Sequence, residues 1–382
     1  MPAYALYRRW LTFRERSRFE DLLRRAATLP VDLDLEPEVD RQLRERSAHR
    51  QKLPVELAQA TVVGVGARGW ERFGLWPSFE RTCDFHFFGD GLADDEPFAC
   101  HTRAAQSERC ERLLAFVREL HARHPVHVVF IYANATNLSP RLFRELQAMG
   151  CWTILMGLDD RHTLFSPHEK GLGEGAALAA EADLYWTTWR TGRLLHHMAG
   201  SRAWLGGLGA DPAFHHPVEV PKDIPVLFLG VSYGVRRELV ESLKAMGIPV
   251  EGQGYGWSRY LTFDETIRSI SRAKIVLGIS NVGSMDGVSI LKGRDFEVPM
   301  CGATYVTQYS EELGDFFDIG KDVVCYGSRL QAAEVLVSLL RDEGKRRALA
   351  RNALEASRRR NTWEIRLREM YDRLLRSQAE SA

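Results

Sequence analysis

The sequence predicts an α/β protein built from two doubly wound domains, and three observations carry that expectation. Its 382 residues exceed the usual size of one hydrophobic core. Short β-branched runs alternate with amphipathic helical patterns, as in a parallel sheet with crossover connections. The alternation then restarts after "HHPVEVPKDIP", a proline-rich stretch at about residues 215 to 225 that suits an interdomain linker.

In chain order, residues 1–60 hold two helical patterns separated by "LPVDLDLEPEVD", a connector rich in proline and acids. "ATVVGVGARGW" opens with a β-branched run and ends in glycines, the pattern of a buried parallel strand entering a loop. "SERCERLLAFVRELHARH" reads as a helix, "VHVVFIYAN" as a buried strand, "SPRLFRELQAMG" as a Ser-capped helix and "CWTILMGLDD" as a strand. In the second half "VLFLGVS" is a strand, "RRELVESLKAMG" a helix stopped by glycine, "IPVEGQGYG" a strand and loop, "FDETIRSISRA" a helix and "KIVLGISN" a strand. "SMDGVSILKGRDFEV" reads as a further helix, and "ATYVTQ" and "DVVCYG" as two more strands. The expected layout is a helical extension over 1–60, an N-terminal Rossmann-like domain over 61–218 and a C-terminal one over 219–365. Residues 366–382 form a last helix able to pack back on the N-terminal domain. The extension has three open roles: docking an acceptor, mediating a homodimer, or covering the sheet.

Composition excludes several classes. The formal net charge is zero and the basic C-terminal helix interleaves acids with apolar residues, so no nucleic-acid surface is expected. The first residues carry charges every few positions and lack the apolar run of a signal peptide or membrane span, which points to the cytoplasm. Six scattered cysteines without CxxC spacing read as reduced thiols, and His196, His197, His215 and His216 have no metal-ligand spacing and read as surface or hinge residues.

Ligands of open parallel sheets bind beyond the carboxyl ends of the strands, so the loops there hold the candidates. After "VLFL" come Gly230, Ser232 and Tyr233, then Arg236 and Arg237 at a helix start, a combination suited to phosphate but not a GxGxxG or Walker pattern; a turn with two solvated arginines is the alternative. "GQGYGWSRY" offers Tyr255 and Trp257 as flanks for a planar base, with a plain tight turn as the alternative. Lys292, Arg294 and Glu297 follow "LGISN", where cations for a diphosphate and a carboxylate for ribose hydroxyls would sit; a structural salt bridge is the alternative. In the first half, Asp159, Asp160 and His162 follow a strand beside Gly66, Arg68, Gly69 and Trp70. An Asp there suits a general base. Turn capping is the alternative, and two adjacent acids are not DxD spacing, so no metal is expected. Trp70, Trp76, Trp186 and Trp189 are read first as packing residues and second as sugar platforms.

The run from Arg294 through Phe296, Glu297, Cys301 and Gly302 resembles the C-terminal half of the CgeB-like, spore-maturation type glycosyltransferases of the "glycosyl transferases group 1" grouping. The resemblance continues through Tyr309, Glu312, Leu313, Phe317, Gly320, Lys321, Val324 and Tyr326 to Asn361, Thr362 and Trp363, and spans about residues 225 to 375. It implies a GT-B fold, two Rossmann-like domains facing across a cleft, with a nucleotide-sugar held by the C-terminal one and no metal or other cofactor. It further implies that Glu297 holds the donor ribose and that Arg236 or Arg237, with Lys292 and Arg294, meets the diphosphate. Ser289 stands where the retaining pattern has a second acid eight positions before this Glu. The activity implied is sugar transfer to a glycan, protein or small-molecule hydroxyl, in bacterial glycan or glycoconjugate synthesis. A nucleotide-sugar epimerase and a non-catalytic nucleotide- or glycan-binding protein are the alternatives.

Overall fold

A computed structural model describes residues 17–29, 33–93, 100, 102–133, 137–158, 164, 175–232, 234–281 and 289–379. They form two compact units, one within Met1–Arg72, Trp76–Gly206 and Leu367–Ala382, the other within Phe73–Leu75 and Gly207–Arg366.

In the first unit six parallel strands lie in the order β2-β1-β3-β4-β5-β6. They are β1 Thr61–Val65, β2 Asp84–Phe88, β3 Val128–Tyr132, β4 Trp152–Met156, β5 Leu184–Thr187 and β6 Ala203–Leu205. Helices α1 Glu36–Ser47, α2 Leu75–Thr82, α3 Arg103–His121, α4 Pro140–Ala148, α5 Gly175–Glu181 and α6 Arg190–Met198 accompany them. Alternate residues serve opposite faces. Val63, Val65, Ile131 and Leu155 share one cluster with Leu113 and Val117 of α3 and Leu142 and Leu146 of α4. Phe130 meets Trp76, Phe79 and Trp186 in a separate aromatic cluster. Gly64 admits that cluster, since a Cβ there would stand 2.5 Å from the Phe85 ring. Trp76, Trp186 and Trp189 are accordingly packing residues, all buried.

The second unit has five parallel strands, β7 Ile224–Leu229, β8 Val250–Gln253, β9 Ala273–Leu277, β10 Tyr305–Gln308 and β11 Val324–Tyr326, in the order β11-β10-β9-β7-β8. Its helices are α7 Gly234–Ala245, α8 Phe263–Arg272, α9 Arg294–Met300, α10 Arg329–Arg341, α11 Glu343–Arg360 and the start of α12 Trp363–Ala379. Val226, Phe228, Ile275, Leu277 and Val306 pack with Leu239, Val240, Leu243 and Leu336. A capping box between Thr262 and Glu265 starts α8, and Gly247 with φ +79° follows the end of α7.

Three expectations need correction. Ser139 precedes α4, but its side chain does not cap the helix; its hydroxyl lies 3.8 Å from Cys110 Sγ instead. The helix expected over 284–298 begins only at Arg294, because Ser289 bridges antiparallel to Asn281 and the Asp295 carboxylate takes the Lys292 amide at 2.7 Å. Residues 282–288 lie outside the described residues. His196 and His215 are buried rather than at the surface: His196 packs on Tyr185 at 4.2 Å and His215 stands edge-on to Phe263 at 5.2 Å.

The segment before β1 is tied to the sheet by charge. Asp183, fully buried just before β5, accepts from Arg50 at 2.7 Å and Arg46 at 3.1 Å, and from the Thr153 amide at 2.9 Å. Removing one side of such a buried pair leaves the other charge desolvated, which costs about 3–5 kcal/mol. Asp183→Ala should lower the urea-unfolding free energy by about that much, whereas Asp21→Ala, whose partner Arg24 is largely exposed, should change it by less than about 1 kcal/mol.

Candidate functional site

In the second unit the strand order reverses between β7 and β9. In parallel α/β sheets such a reversal is where connections depart to opposite sides of the sheet and ligands bind beyond the carboxyl ends of the strands. Gly230 and Ser232 follow β7, and Ser280 and Asn281 follow β9. The β7 turn lies backbone against backbone with the loop after β8: the Gly230 amide donates to Gln253 O at 3.0 Å, and the Ser232 amide to Tyr255 O at 2.8 Å. Gly254 is needed there twice over, since its φ is +108° and a Cβ would lie 2.8 Å from Gly230 O.

The two arginines at the start of α7 are distinguished by their partners. Arg236 lies at the Gly230 turn, its Nη1 3.6 Å from the place of a Gly230 Cβ. Arg237 donates to Gly256 O at 3.0 Å and lies over the Trp257 ring at 5.3 Å, so it holds the β8 loop. Tyr255 is exposed and stacks on Tyr260 at 5.2 Å. Trp257 instead packs edge-on against Phe228, so the expected Tyr255 and Trp257 pair does not form a base clamp. Tyr233 lies outside the described residues.

At α9 the mixed charges separate into a buried anchor and an open group. Asp295 is buried and accepts from Tyr305 Oη at 2.9 Å as well as from the Lys292 amide, with Thr307 Oγ1 at 3.5 Å. Glu297 folds back over Gly293, where a Cβ would stand 2.8 Å from its Oε1. Its charge is felt by the buried His215, whose pKa burial lowers and Glu297 partly restores. Arg294 makes no hydrogen bond or ion pair among the described residues, and its Nε is shielded from solvent. The guanidinium is half-buried, and its planar set of N–H donors is of the kind that pairs with carboxylates and phosphates.

In the first unit the order reverses between β1 and β3. Gly66 lets the loop after β1 touch β3, because a Cβ would lie 2.8 Å from Tyr132 O. Trp70, 38% exposed, stands edge-on to Tyr132 at 5.5 Å, while Arg68 covers the Phe87 ring at 4.5 Å. Gly69 lies between them. Asp159, Asp160 and His162 fall outside the described residues. Sequence reasoning left out Ser280 and Asn281, which were signalled by their place directly after the "VLGI" run, and read His215 as a surface or hinge residue.

Burial pushes the Asp295 pKa from 3.8 up to about 6, against the Lys292 amide and Tyr305 hydroxyl that favour its anion. The folded state therefore holds this proton more tightly than the unfolded chain. Its stabilising contribution is full below about pH 4 and is lost as the pH rises through about 6. Urea unfolding of wild type and Asp295→Asn across pH 4 to 7 should show a difference that shrinks over that window and is flat above it; a difference growing with pH would overturn the assignment.

Residues 236–372, just over a third of the chain, match the glycosyl transferase-like family. No curated protein matches the chain in sequence. Among solved structures it is similar to Anabaena HepE in complex with UDP-glucose, at 11% identity and TM-score 0.58, over 82% of this chain and 99% of that one. Sucrose-phosphate synthase from Thermosynechococcus elongatus aligns at 12% identity and TM-score 0.55, over 85% of this chain and 100% of that one. A candidate UDP-N-acetylglucosamine 2-epimerase from Listeria monocytogenes aligns at 12% identity and TM-score 0.52, over 85% and 98%. These likenesses establish the fold, two parallel-sheet α/β domains of the GT-B type.

Proposed function

We propose that the protein is a GT-B glycosyltransferase of the CgeB-like kind that moves a sugar from a nucleoside diphosphate donor to an acceptor hydroxyl, with no metal ion in the transfer. The observation that carries this reading is the start of α9: a carboxylate folded over Gly293 beside an arginine without an anion, following the strand that borders the crevice. Glu297 accepts the two ribose hydroxyls. Arg294, Lys292 and Arg236, with the N-terminal amides of α7, face the diphosphate. As the acceptor oxygen bonds to the anomeric carbon, the bond from that carbon to the diphosphate breaks and its electron pair leaves on phosphate oxygen. Fixed positive charge stabilises that oxygen. The acceptor proton passes to a general base, for which Asp159, Asp160 and His162 are the candidates, and Gly66, Arg68, Gly69 and Trp70 are the candidates on the acceptor side. A uridine nucleotide is the donor favoured by the UDP-glucose bound to the HepE neighbour.

The epimerase reading is favoured by one observation, the fold likeness to the Listeria protein at TM-score 0.52. Product analysis separates the two: a transferase releases nucleoside diphosphate only when acceptor is present, an epimerase yields a new nucleotide-sugar without one.

Thermal unfolding against a panel of nucleoside diphosphates and nucleotide-sugars tests the donor site, since a ligand selective for the folded state raises the Tm. One base should give a shift, and Glu297→Ala should weaken that ligand at least about tenfold, the effect of one charge-assisted hydrogen bond or more. Arg294→Ala should lower kcat by about 10²–10³, and excess EDTA should leave the transfer rate unchanged. No shift with any nucleotide would move a non-nucleotide glycan-binding role to first place.

A further inference from the structure

We propose that Asp84, His86 and His124 form a binding site for a divalent transition-metal ion, of which Zn²⁺ is the best match, that fastens edge strand β2 to the α3–β3 connection. Asp84 and His86 alternate along β2 and therefore share a face, while His124 comes from the turn after α3. One ligand atom from each lies within 4.8 Å of the other two. The His86 Nε2 to Asp84 Oδ1 distance is 3.1 Å and the His124 Nε2 to Asp84 Oδ2 distance is 3.5 Å. Ligands about 2.1 Å from a tetrahedral ion stand about 3.4 Å apart, so the side chains need little movement to close on one.

Two further features argue for a metal over a plain ion pair. His124 Nε2 is shielded from solvent and makes no hydrogen bond, so its ring nitrogen is held toward the Asp84 carboxylate without being satisfied by it. The Thr61 hydroxyl donates to Asp84 Oδ2 at 3.0 Å, which orients the carboxylate from behind as an outer partner of a metal ligand does. The neighbouring histidines are otherwise occupied: His127 Nδ1 accepts the Thr61 amide at 3.0 Å, His121 Nδ1 accepts the Val126 amide at 3.3 Å, and His121 Nε2 contacts Gln51 at 3.0 Å. All three ligands keep part of their surface in solvent, leaving water to complete the shell. Two imidazoles and one carboxylate select Zn²⁺, Co²⁺ or Ni²⁺ over Mg²⁺ and Ca²⁺.

The location separates this site from sugar transfer. Asp84 pairs with Thr61 at the first residues of β2 and β1, the amino ends of the strands, whereas the candidate ligand loops leave the carboxyl ends. The ion would act on the stability of the sheet edge.

Titration of the full-length, EDTA-stripped protein with Co²⁺ and Zn²⁺ tests the proposal. One equivalent of Co²⁺ should give the intense visible bands of four-coordinate geometry, and Zn²⁺ should displace it with a dissociation constant tighter than about 10 µM and raise the Tm. His86→Gln and His124→Gln should each weaken binding at least about tenfold, the usual effect of losing a metal ligand or more, while leaving the metal-free Tm close to wild type. His49→Gln, at an exposed histidine elsewhere, should bind as wild type does. Absence of stoichiometric binding, or binding unaltered in both ligand variants, would overturn the site.

Discussion

Among the described residues every strand pair in both sheets is parallel, and most of the molecule follows from that constraint. Parallel neighbours cannot be joined by a tight hairpin, so each strand must be followed by a crossover that returns to the same end of the sheet. Within each unit the carboxyl ends consequently gather a set of loops that the ladder positions but does not use. Those loops are free to carry charge, and at the order reversal they part and leave room for a ligand. Burial of both sheet faces by the crossover helices explains the apolar strands and the polarity of what lies beyond them.

Asp295 shows how the scaffold supports such a loop at a cost. A carboxylate in the interior is expensive, and here it is retained with hydrogen bonds to the Lys292 amide and the Tyr305 hydroxyl. Those bonds fix where α9 starts, and with it the directions taken by Arg294 and Glu297. Gly278 belongs to the same arrangement, since a Cβ there would stand 2.1 Å from Tyr305 Oη. Asp295 is therefore the buried foundation on which the half-buried Arg294 and Glu297 are set.

The architecture was legible wherever a strand is a continuous apolar run: β1, β3, β4, β7 and β9 all stand out from the sequence. Strand β2, "DFHFF", was missed because an edge strand mixes polar with aromatic residues, and β5 and β6 were passed over although β8, β10 and β11, equally short, were read. Candidates after strand ends could be chosen from sequence because topology alone places such loops at one end of a sheet. Side-chain direction was not readable: adjacent Arg236 and Arg237 look equivalent in sequence, yet one reaches the Gly230 turn and the other is spent on Gly256. Spatial clusters were equally hidden, and His124 stands far from Asp84 and His86 in the chain, so no short spacing announces their meeting.

The helix Trp363–Ala379 leaves the second unit after Arg366 and continues in the first. There Tyr371 donates to Pro54 O, Arg373 to Asp40 and the Gln378 side chain accepts the Leu53 amide, across sequence separations of 317, 333 and 325 residues. The first unit is thus not a segment of chain that can finish on its own while the rest is being made. Its sheet can pair once the strands of residues 61–205 have been made, but these partners stay open until the second unit has followed, so the first unit to begin is the last to be completed.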